Sequence, residues 1–232
     1  MSNLHSLAIV DLVRTRIADI LSLRADFRGK EDGSYVSKGD LLIQSLVFDY
    51  VKNNLPEHIL ISEELAPFDG VHWKSNGSYV ILDPIDGTEN FVSGLREWGI
   101  GVSIYTNGAH QESLIFLPEL NDFLATGMPV DKFKSRIIGL SSSLKKEDLE
   151  KLPFGDFEFR IIGCSMYNTL SAVRGAFAEF ENVKGVNCWD VLPGLNLALE
   201  HGCRVWVDDH PYRGEIIFPV KKYRIRISNL EN

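Results

Sequence analysis

The sequence predicts a layered α/β fold, an α+β sandwich in which helices and sheets alternate. Segments with apolar residues at helical spacing and short β-branched runs follow one another in blocks along the chain. With 232 residues, of which 44% are hydrophobic, the chain can bury a sizeable core. No repeat, low-complexity tract or linker divides it. We therefore expect one domain over residues 1–232, built from a first half at 1–130 and a second α/β half at 131–232.

Two helices are predicted before residue 56. The first has apolar residues at helical spacing, namely Ile9, Val13, Ile17, Ile20 and Leu21. The polar, glycine-bearing stretch at 24–40 predicts a loop. A second helix follows at 43–51, with Ser37 and Asp40 placed as its capping residues and Pro56 stopping any continuation.

Strands are predicted in the middle of the chain. The run "HILISEEL" predicts a short strand that ends in two acids, and "SYVILDP" predicts another, closed by Pro84 because proline cannot donate to a sheet ladder. After Gly99 the runs "GIGVSIYT", "HQESLIFL" and "FLATG" predict a meander, with Asn107-Gly108 as a two-residue hairpin turn. "RIIGLSSS" and "FRIIGCS" predict two further strands.

Two more helices and three strands are predicted towards the end. Ser165 is placed as the N-cap of a helix over "SMYNTLSAVRGAFAEF". A last helix begins at "WDVLPG", with Asp190 and Pro193 in its first turn and Gly202 just past its end. The runs "RVWVDD", "GEIIFPV" and "YRIRIS" predict terminal strands.

Charge and cysteine content narrow the functional classes. The net charge of -8 and a pI near 5.3 disfavour nucleic acid or an anionic membrane as the main partner. Three widely separated cysteines fit reduced thiols better than a disulfide framework or a zinc site. Charged residues at 11, 14 and 16 stand where a signal peptide needs apolar ones. We expect a cytoplasmic protein without a membrane span.

The stretch "LDPIDGTENF" at 82–91 places Asp83 and Asp86 three residues apart, directly after an apolar run. Asp-Pro and Asp-Gly pairs are common in plain turns. The two carboxylates and the Ile85 carbonyl would also suit a hard cation such as Mg²⁺. An EF-hand loop is excluded, because isoleucine and glycine occupy its third and fifth positions.

Three other acidic segments admit a structural explanation when each is taken alone. Glu63 and its neighbour Glu64 follow a strand and fit a solvated surface pair. Asp190 is at the start of a helix, where the macrodipole favours an acid, and Asp40 fits an N-terminal cap. Only their combination with the 82–91 stretch indicates a shared site.

In chain order, "VSKGD", "ISEE", "LDPIDGTENF" and "NCWDVLPG" resemble the motifs of the inositol monophosphatase family of lithium-sensitive, Mg²⁺-dependent phosphatases. The resemblance covers nearly the whole chain. It implies the layered fold, a phosphomonoesterase acting through metal-activated water, two or three Mg²⁺ ions (Mn²⁺ being possible) held by the 1–130 half with Asp190, and a possible homodimer.

The resemblance also implies roles for particular residues. The implied metal ligands are Glu63, Asp83, the Ile85 carbonyl, Asp86 and Asp190. The implied catalytic residues are Asp40 and Thr88, which orient the attacking water, with Glu63. The implied substrate contacts are Asp86, Gly87, Thr88, Ser165, Glu181 and Asp190, of which Ser165 and Glu181 fall where family members contact the hydroxyl-bearing part of the substrate.

The substrate class stays open between relatives of one chemistry. Inositol monophosphate is favoured because the sequence shows no basic or aromatic cluster suited to a nucleotide. The alternatives are 3'-phosphoadenosine 5'-phosphate, fructose 1,6-bisphosphate and histidinol phosphate. A member that mainly binds a protein partner, with little catalysis, is the alternative of another class. The departures from the family pattern, among them Ser62 and Pro193, remove no implied ligand.

Overall fold

The computed structural model describes residues 4–68, 70–142, 144–150, 152 and 154–230. Its α-helices are α1 (His5–Ser22), α2 (Lys38–Asn54), α3 (Thr88–Val92), α4 (Lys146–Leu149), α5 (Ser165–Val173) and α6 (Cys188–Glu200). Its strands are β1 (Phe27–Gly29), β2 (Tyr35–Ser37), β3 (Ile59–Ser62), β4 (Tyr79–Asp86), β5 (Gly99–Thr106), β6 (Ala109–Leu117), β7 (Asp122–Ala125), β8 (Ile137–Leu140), β9 (Glu158–Ile161), β10 (Glu179–Val186), β11 (Arg204–Val207), β12 (His210–Pro211) and β13 (Tyr223–Ser228). Short 3₁₀ turns follow β3 at Glu63–Leu65 and β6 at Pro118–Leu120.

The first sheet has the strand order β3-β4-β5-β6-β7, and α1 and α2 cover one of its faces. β3 runs parallel to β4, and the other neighbours are antiparallel. Side chains of a strand alternate between faces, so Val80 and Leu82 of β4 join the core under α1 and α2. Tyr79 and Ile81 point to the opposite face, where they meet the second core. Asp83 follows the same alternation as Tyr79 and Ile81, so its carboxylate lies on the face of the sheet that meets the second core.

The second core lies between the two sheets, and α5 and α6 form the layer that fills it. The second sheet has the order β12-β11-β13-β10-β8-β9. Ile225 and Ile227 of β13 pack into the same core as Leu192 and Leu195 of α6. The layers therefore alternate as helix, sheet, helix, sheet, which confirms the predicted fold class. All strands of the first sheet precede residue 126, and those of the second follow residue 136.

Two local predictions in the first half are wrong. The predicted loop at 24–40 contains the hairpin β1–β2, and α2 begins at Lys38 inside it. Pro84 does not close its strand, because β4 continues to Asp86. The register shifts between Asp83 and Asp86, so the proline lies in a bulge where no ladder hydrogen bond is demanded of it.

Further predictions fail in the second half. The helix predicted from Ser165 ends at Val173. Gly175 then turns the chain with a φ of 72°, and the strand β10 begins at Glu179. The cap of α5 is Cys164 rather than Ser165: its sulfur accepts the Tyr167 N–H. Pro193 lies in the second turn of α6 rather than the first. The run at 214–220 is not a strand.

Two further local predictions, a hairpin turn and a helix cap, are confirmed. The Asn107-Gly108 pair joins β5 to β6 with positive φ at both residues, as a two-residue hairpin turn requires. Ser37 and Asp40 form a reciprocal capping box at the start of α2. In the described part of the chain, no helix is both long enough and apolar enough to cross a bilayer.

Candidate active site

Three carboxylates from separate elements meet at one edge of the first sheet. Glu63 directly follows β3, Asp83 lies in β4, and Asp190 occupies the first turn of α6. The parallel pairing of β3 with β4 brings Glu63 beside the end of β4. The alternation of β4 turns Asp83 towards the layer that contains α6. As a result, one carboxylate oxygen from each of the three residues lies within 4.8 Å of the other two.

Asp83 is the innermost carboxylate of this cluster. Its side chain is fully buried, and neither carboxylate oxygen has a hydrogen-bond partner among the described residues. Burial, together with the charges of Glu63, Asp86 and Asp190, raises its pKa well above the usual range. Two carboxylates at this separation repel by roughly 3 kcal/mol at an effective dielectric near 20. A divalent cation would satisfy both the unpaired oxygens and the excess charge, so the donor set fits a hard metal ion.

Asp190 is held by the start of α6. Its carboxylate accepts the Asn187 N–H at 2.7 Å, closing a capping box. Burial and the charges of Glu63 and Asp86 raise its pKa well above the usual range. The cap fixes one oxygen and directs the side chain towards the cluster. Cys188 and Trp189, which directly precede this acid, are both buried.

Asp86 lies at the end of β4 and is tied to the start of α5. Its Oδ2 accepts a hydrogen bond from the Cys164 thiol at 2.9 Å and another from the Met166 N–H. Burial raises the pKa of Asp86 to about 7, although these two donors act in the opposite direction. Asp86 lies outside the closest trio but lines the same cavity.

Asp40 and Thr88 are in contact across the edge of the site. The Thr88 hydroxyl donates to the Ile85 carbonyl at 3.0 Å and lies 3.3 Å from Asp40 Oδ1. The other Asp40 oxygen accepts from the Ser37 N–H at 2.8 Å and from the Ser37 hydroxyl at 2.6 Å. Burial raises the pKa of Asp40 to about 6. The two residues expected to orient a water are therefore adjacent.

A lysine that the sequence analysis did not identify pairs with the acids after β3. Lys30, in the β1–β2 hairpin, places its ammonium 2.7 Å from one oxygen of Glu63 and 2.7 Å from one oxygen of Glu64. Burial lowers its pKa, but the two carboxylates more than offset this and raise it. The hairpin was predicted to be a loop, which is why no contact with the acid pair was foreseen.

Two of the cavities beside the carboxylates contain residues that the sequence predicts as substrate contacts. The acidic cavity, of about 190 Å³, is lined by Ser34, Tyr35, Glu63, Asp83, Ile85, Asp86, Gly87, Thr88, Glu89 and Asp190. The polar cavity, of about 180 Å³, is lined by Asp86, Ser141, Ser142, Gly163, Cys164, Ser165, Asn168, Phe180, Asn182, Val186 and Asp190. They share Asp86 and Asp190. Ser165, predicted as a substrate contact, therefore lies beside the carboxylate cluster, and so do Gly87 and Thr88.

Glu181 is not brought to the site. It lies in β10 and lines a different cavity, together with Trp206, Arg224 and Arg226. The neighbouring residue Asn182 is buried and lines the polar cavity. Adjacent side chains of a strand point to opposite faces, so Asn182 faces the polar cavity and Glu181 does not. The alternation of "EFEN", with buried Phe180 on the same face as Asn182, is the sequence signal that could have identified it.

Comparison with known proteins defines the class of this chain. The model of the inositol monophosphatase family matches residues 6–132, more than half of the 232 residues. That segment contains three of the four acidic motifs, and the fourth is the helix start that carries Asp190. The chain belongs to the inositol monophosphatase family.

The curated relatives are distant. The Nus factor SuhB of Pasteurella multocida is 22% identical over 195 residues, which are 75% of this chain and 72% of that protein. The putative Nus factor SuhB of Neisseria meningitidis (serogroup A) is 33% identical over 94 residues, which are 40% of this chain and 34% of that protein. The chain thus aligns with about a third of the Neisseria relative.

Solved structures share the fold over almost the whole chain. An IMPase of Thermotoga maritima has a TM-score of 0.76 at 23% identity, covering 96% of this chain and 91% of that one. A staphylococcal inositol monophosphatase soaked in LiCl has a TM-score of 0.81 at 19% identity, covering 96% and 88%. An IMPase/NADP phosphatase with Mg²⁺ and phosphate has a TM-score of 0.79 at 19% identity, with the same coverage. At these identities the likeness shows the fold.

Proposed function

We propose that this protein is a metal-dependent phosphomonoesterase. The observation that carries the proposal is the convergence of Glu63, Asp83 and Asp190 within 4.8 Å, with both Asp83 oxygens buried and lacking a hydrogen bond among the described residues. A cluster of this kind is costly without cations, because like charges in a buried site raise each other's energy. Membership of the phosphatase family supports the same conclusion, as does the relative solved with Mg²⁺ and phosphate.

The site residues divide into those proposed to bind the cations and those proposed to accept the proton of the attacking water. The groups proposed to hold the cations, Mg²⁺ or Mn²⁺, are Glu63, Asp83, the Ile85 carbonyl, Asp86 and Asp190. Divalent cations bound there would neutralise charge on the phosphoryl oxygens and the leaving alkoxide. Lys30 already supplies one positive charge to Glu63, so ion binding and this ion pair compete for the same carboxylate.

Asp40 and Thr88 are proposed to position the attacking water and take its proton. The Thr88 hydroxyl lies between the Ile85 carbonyl and Asp40, so its oxygen lone pairs can face the water. Asp40, with its pKa raised to about 6, is poised near neutral pH, as an efficient general base must be. Gly87 and Thr88 would offer backbone N–H groups to a phosphate oxygen.

The polar cavity supports a small polyol as the alcohol part of the substrate. Hydroxyl and amide groups from Ser165, Asn168 and Asn182 line it, and these can pair with sugar or inositol hydroxyls. We therefore place inositol monophosphate first and the bisphosphate, nucleotide and histidinol esters after it. Asn182 replaces Glu181 as the proposed substrate contact on β10.

A phosphate-release assay tests the proposal. A panel of phosphate monoesters is incubated with Mg²⁺, with and without Li⁺, using the wild type, Asp86→Asn and the control Asp49→Asn, which changes an exposed acid on α2. We expect Mg²⁺-dependent release by the wild type and the control, inhibition by Li⁺, and at least a hundredfold loss in Asp86→Asn. Equal rates in all three proteins would refute the assignment of the site.

A second candidate function is supported by the names of the relatives. Several are called Nus factor SuhB, a name that denotes a factor rather than an enzyme. A regulatory member would bind a protein partner through a surface outside the carboxylate cluster. Mg²⁺ binding without turnover of any ester in the panel would favour this alternative.

A further inference from the structure

The loop between β9 and α5 is fixed directly against the "DPIDGTEN" segment. The Asn90 side-chain amide, in α3, donates to the Ile162 carbonyl at 2.8 Å and to the Glu97 carbonyl at 2.7 Å. Gly87 lies so close that a Cβ built on it would be 3.1 Å from the Cβ of Cys164. The position of Cys164 is therefore set by the same segment that carries Asp86.

The Cys164 thiol makes two hydrogen bonds of different kinds. Its sulfur accepts the Tyr167 N–H at 3.3 Å, which caps α5, and its S–H donates to Asp86 Oδ2 at 2.9 Å. Serine, threonine, aspartate and asparagine are the usual residues at this helix position. A cysteine here is too deeply buried to serve as a reactive thiol, and its S–H faces the Asp86 carboxylate. The thiol is thus a proton donor to the carboxylate.

The two oxygens of Asp86 therefore have different surroundings. Oδ2 receives the Cys164 thiol and the Met166 N–H. Neither of these two donors bonds to Oδ1, and Asp86 lines the acidic cavity. Groups that donate to one oxygen of a ligating carboxylate fix its orientation, and removing such a partner typically costs 10- to 100-fold in metal affinity or activity.

We infer that Cys164 is a positioning residue that orients Asp86, leaving Oδ1 to face the cations. The inference rests on the proposed function, since it concerns how a proposed ligand is held. It adds a residue outside the four acidic motifs, contributed by the second half of the chain. Serine at this position retains both a donor and an acceptor, whereas alanine retains neither.

Mn²⁺ binding, followed by the loss of the free-ion signal in electron paramagnetic resonance, tests the inference without relying on activity. The proteins are the wild type, Cys164→Ser, Cys164→Ala and the matched control Cys203→Ala, which removes a buried thiol next to β11. We expect about tenfold weaker Mn²⁺ binding in Cys164→Ala, a change below about threefold in Cys164→Ser, and none in the control.

A double-mutant cycle separates orientation of Asp86 from a general effect on folding. If Cys164 acts through Asp86, Cys164→Ala has no further effect on Mn²⁺ affinity when Asp86→Asn is already present. The same tenfold loss in that background would overturn the inference, as would equal losses in Cys164→Ala and Cys164→Ser or an unchanged affinity in Cys164→Ala. A wild type that binds no Mn²⁺ would overturn the proposed function itself, and this inference with it.

Discussion

Replacing Asp40 with asparagine should stabilise the metal-free protein at neutral pH while removing its activity. Asp40 is fully buried, and burial raises its pKa from 3.8 to about 6. Its folded pKa therefore exceeds its unfolded pKa, and the folded state retains a proton that the unfolded state has lost between about pH 4 and pH 6. Stability attributable to this group falls as pH rises through that window.

The size of the effect follows from the pKa values. Each tenfold change in the acid constant is worth about 1.4 kcal/mol, so ionising Asp40 in the folded protein costs about 3 kcal/mol above pH 6. Asparagine keeps the shape of the side chain without the charge. The difference in free energy of unfolding between Asp40→Asn and the wild type should therefore be small near pH 4 and reach about 3 kcal/mol by pH 7.

Urea unfolding in EDTA, repeated between pH 4 and pH 8, measures this difference directly. A useful control is Asp32→Asn, because hydrogen bonds from Ser34 lower the pKa of Asp32, giving the opposite sign of pH dependence. The reasoning fails if the Asp40→Asn difference is independent of pH or shrinks as pH rises. Loss of turnover in the same variant, measured with Mg²⁺, would show that the Asp40 charge is needed for the reaction although it does not stabilise the fold.

Three further outcomes are expected. Mg²⁺ at about 100 times its dissociation constant should stabilise the wild type by about 2.7 kcal/mol in thermal unfolding, and Asp83→Asn should lose this gain because it removes the innermost of the proposed ligands. Gly87→Ala should cost about 1–3 kcal/mol in urea unfolding, since Gly87 has a φ of 81°, and an unchanged midpoint would refute the strain. Glu112→Ala should cost about 1–2 kcal/mol, because the two oxygens of Glu112 accept the His5 and Ser6 N–H groups at the start of α1, whereas Glu112→Gln, which keeps one acceptor oxygen, should retain at most about half of that stability.

The fold class could be predicted from periodicity, because helical and alternating apolar spacing persist over most elements. Boundaries failed where tertiary packing overrode local pattern. Pro84 continues a strand because β4 bulges there, and the segment after Gly175 pairs with β8 and β13 instead of extending α5. The order of residues within a short segment contains no information on the bulge in β4 or on the pairing of β10 with β8 and β13.

The candidate site could be predicted from motifs as far as its acids, since Glu63, Asp83 and Asp190 do converge. The residues that hold those acids in place could not be predicted from motifs. Lys30 and Cys164 reach the cluster from a hairpin and a helix start whose positions depend on packing. Glu181 lies away from the cluster, in a strand whose first two residues were predicted to end a helix, so the face on which its side chain lies was not foreseen.

The separation of the acids along the chain bears on how the protein matures during synthesis. Asp86 and Asp190 are 104 positions apart (190 − 86), so a ribosome adding 5–20 residues per second completes the proposed ion-binding set roughly 5–20 s after it has added Asp86. Until α6 emerges and docks, the nascent first sheet has Glu63, Asp83 and Asp86 but lacks their fourth partner. Tight capture of divalent ions by the proposed set is therefore deferred until α6 has been made and has docked.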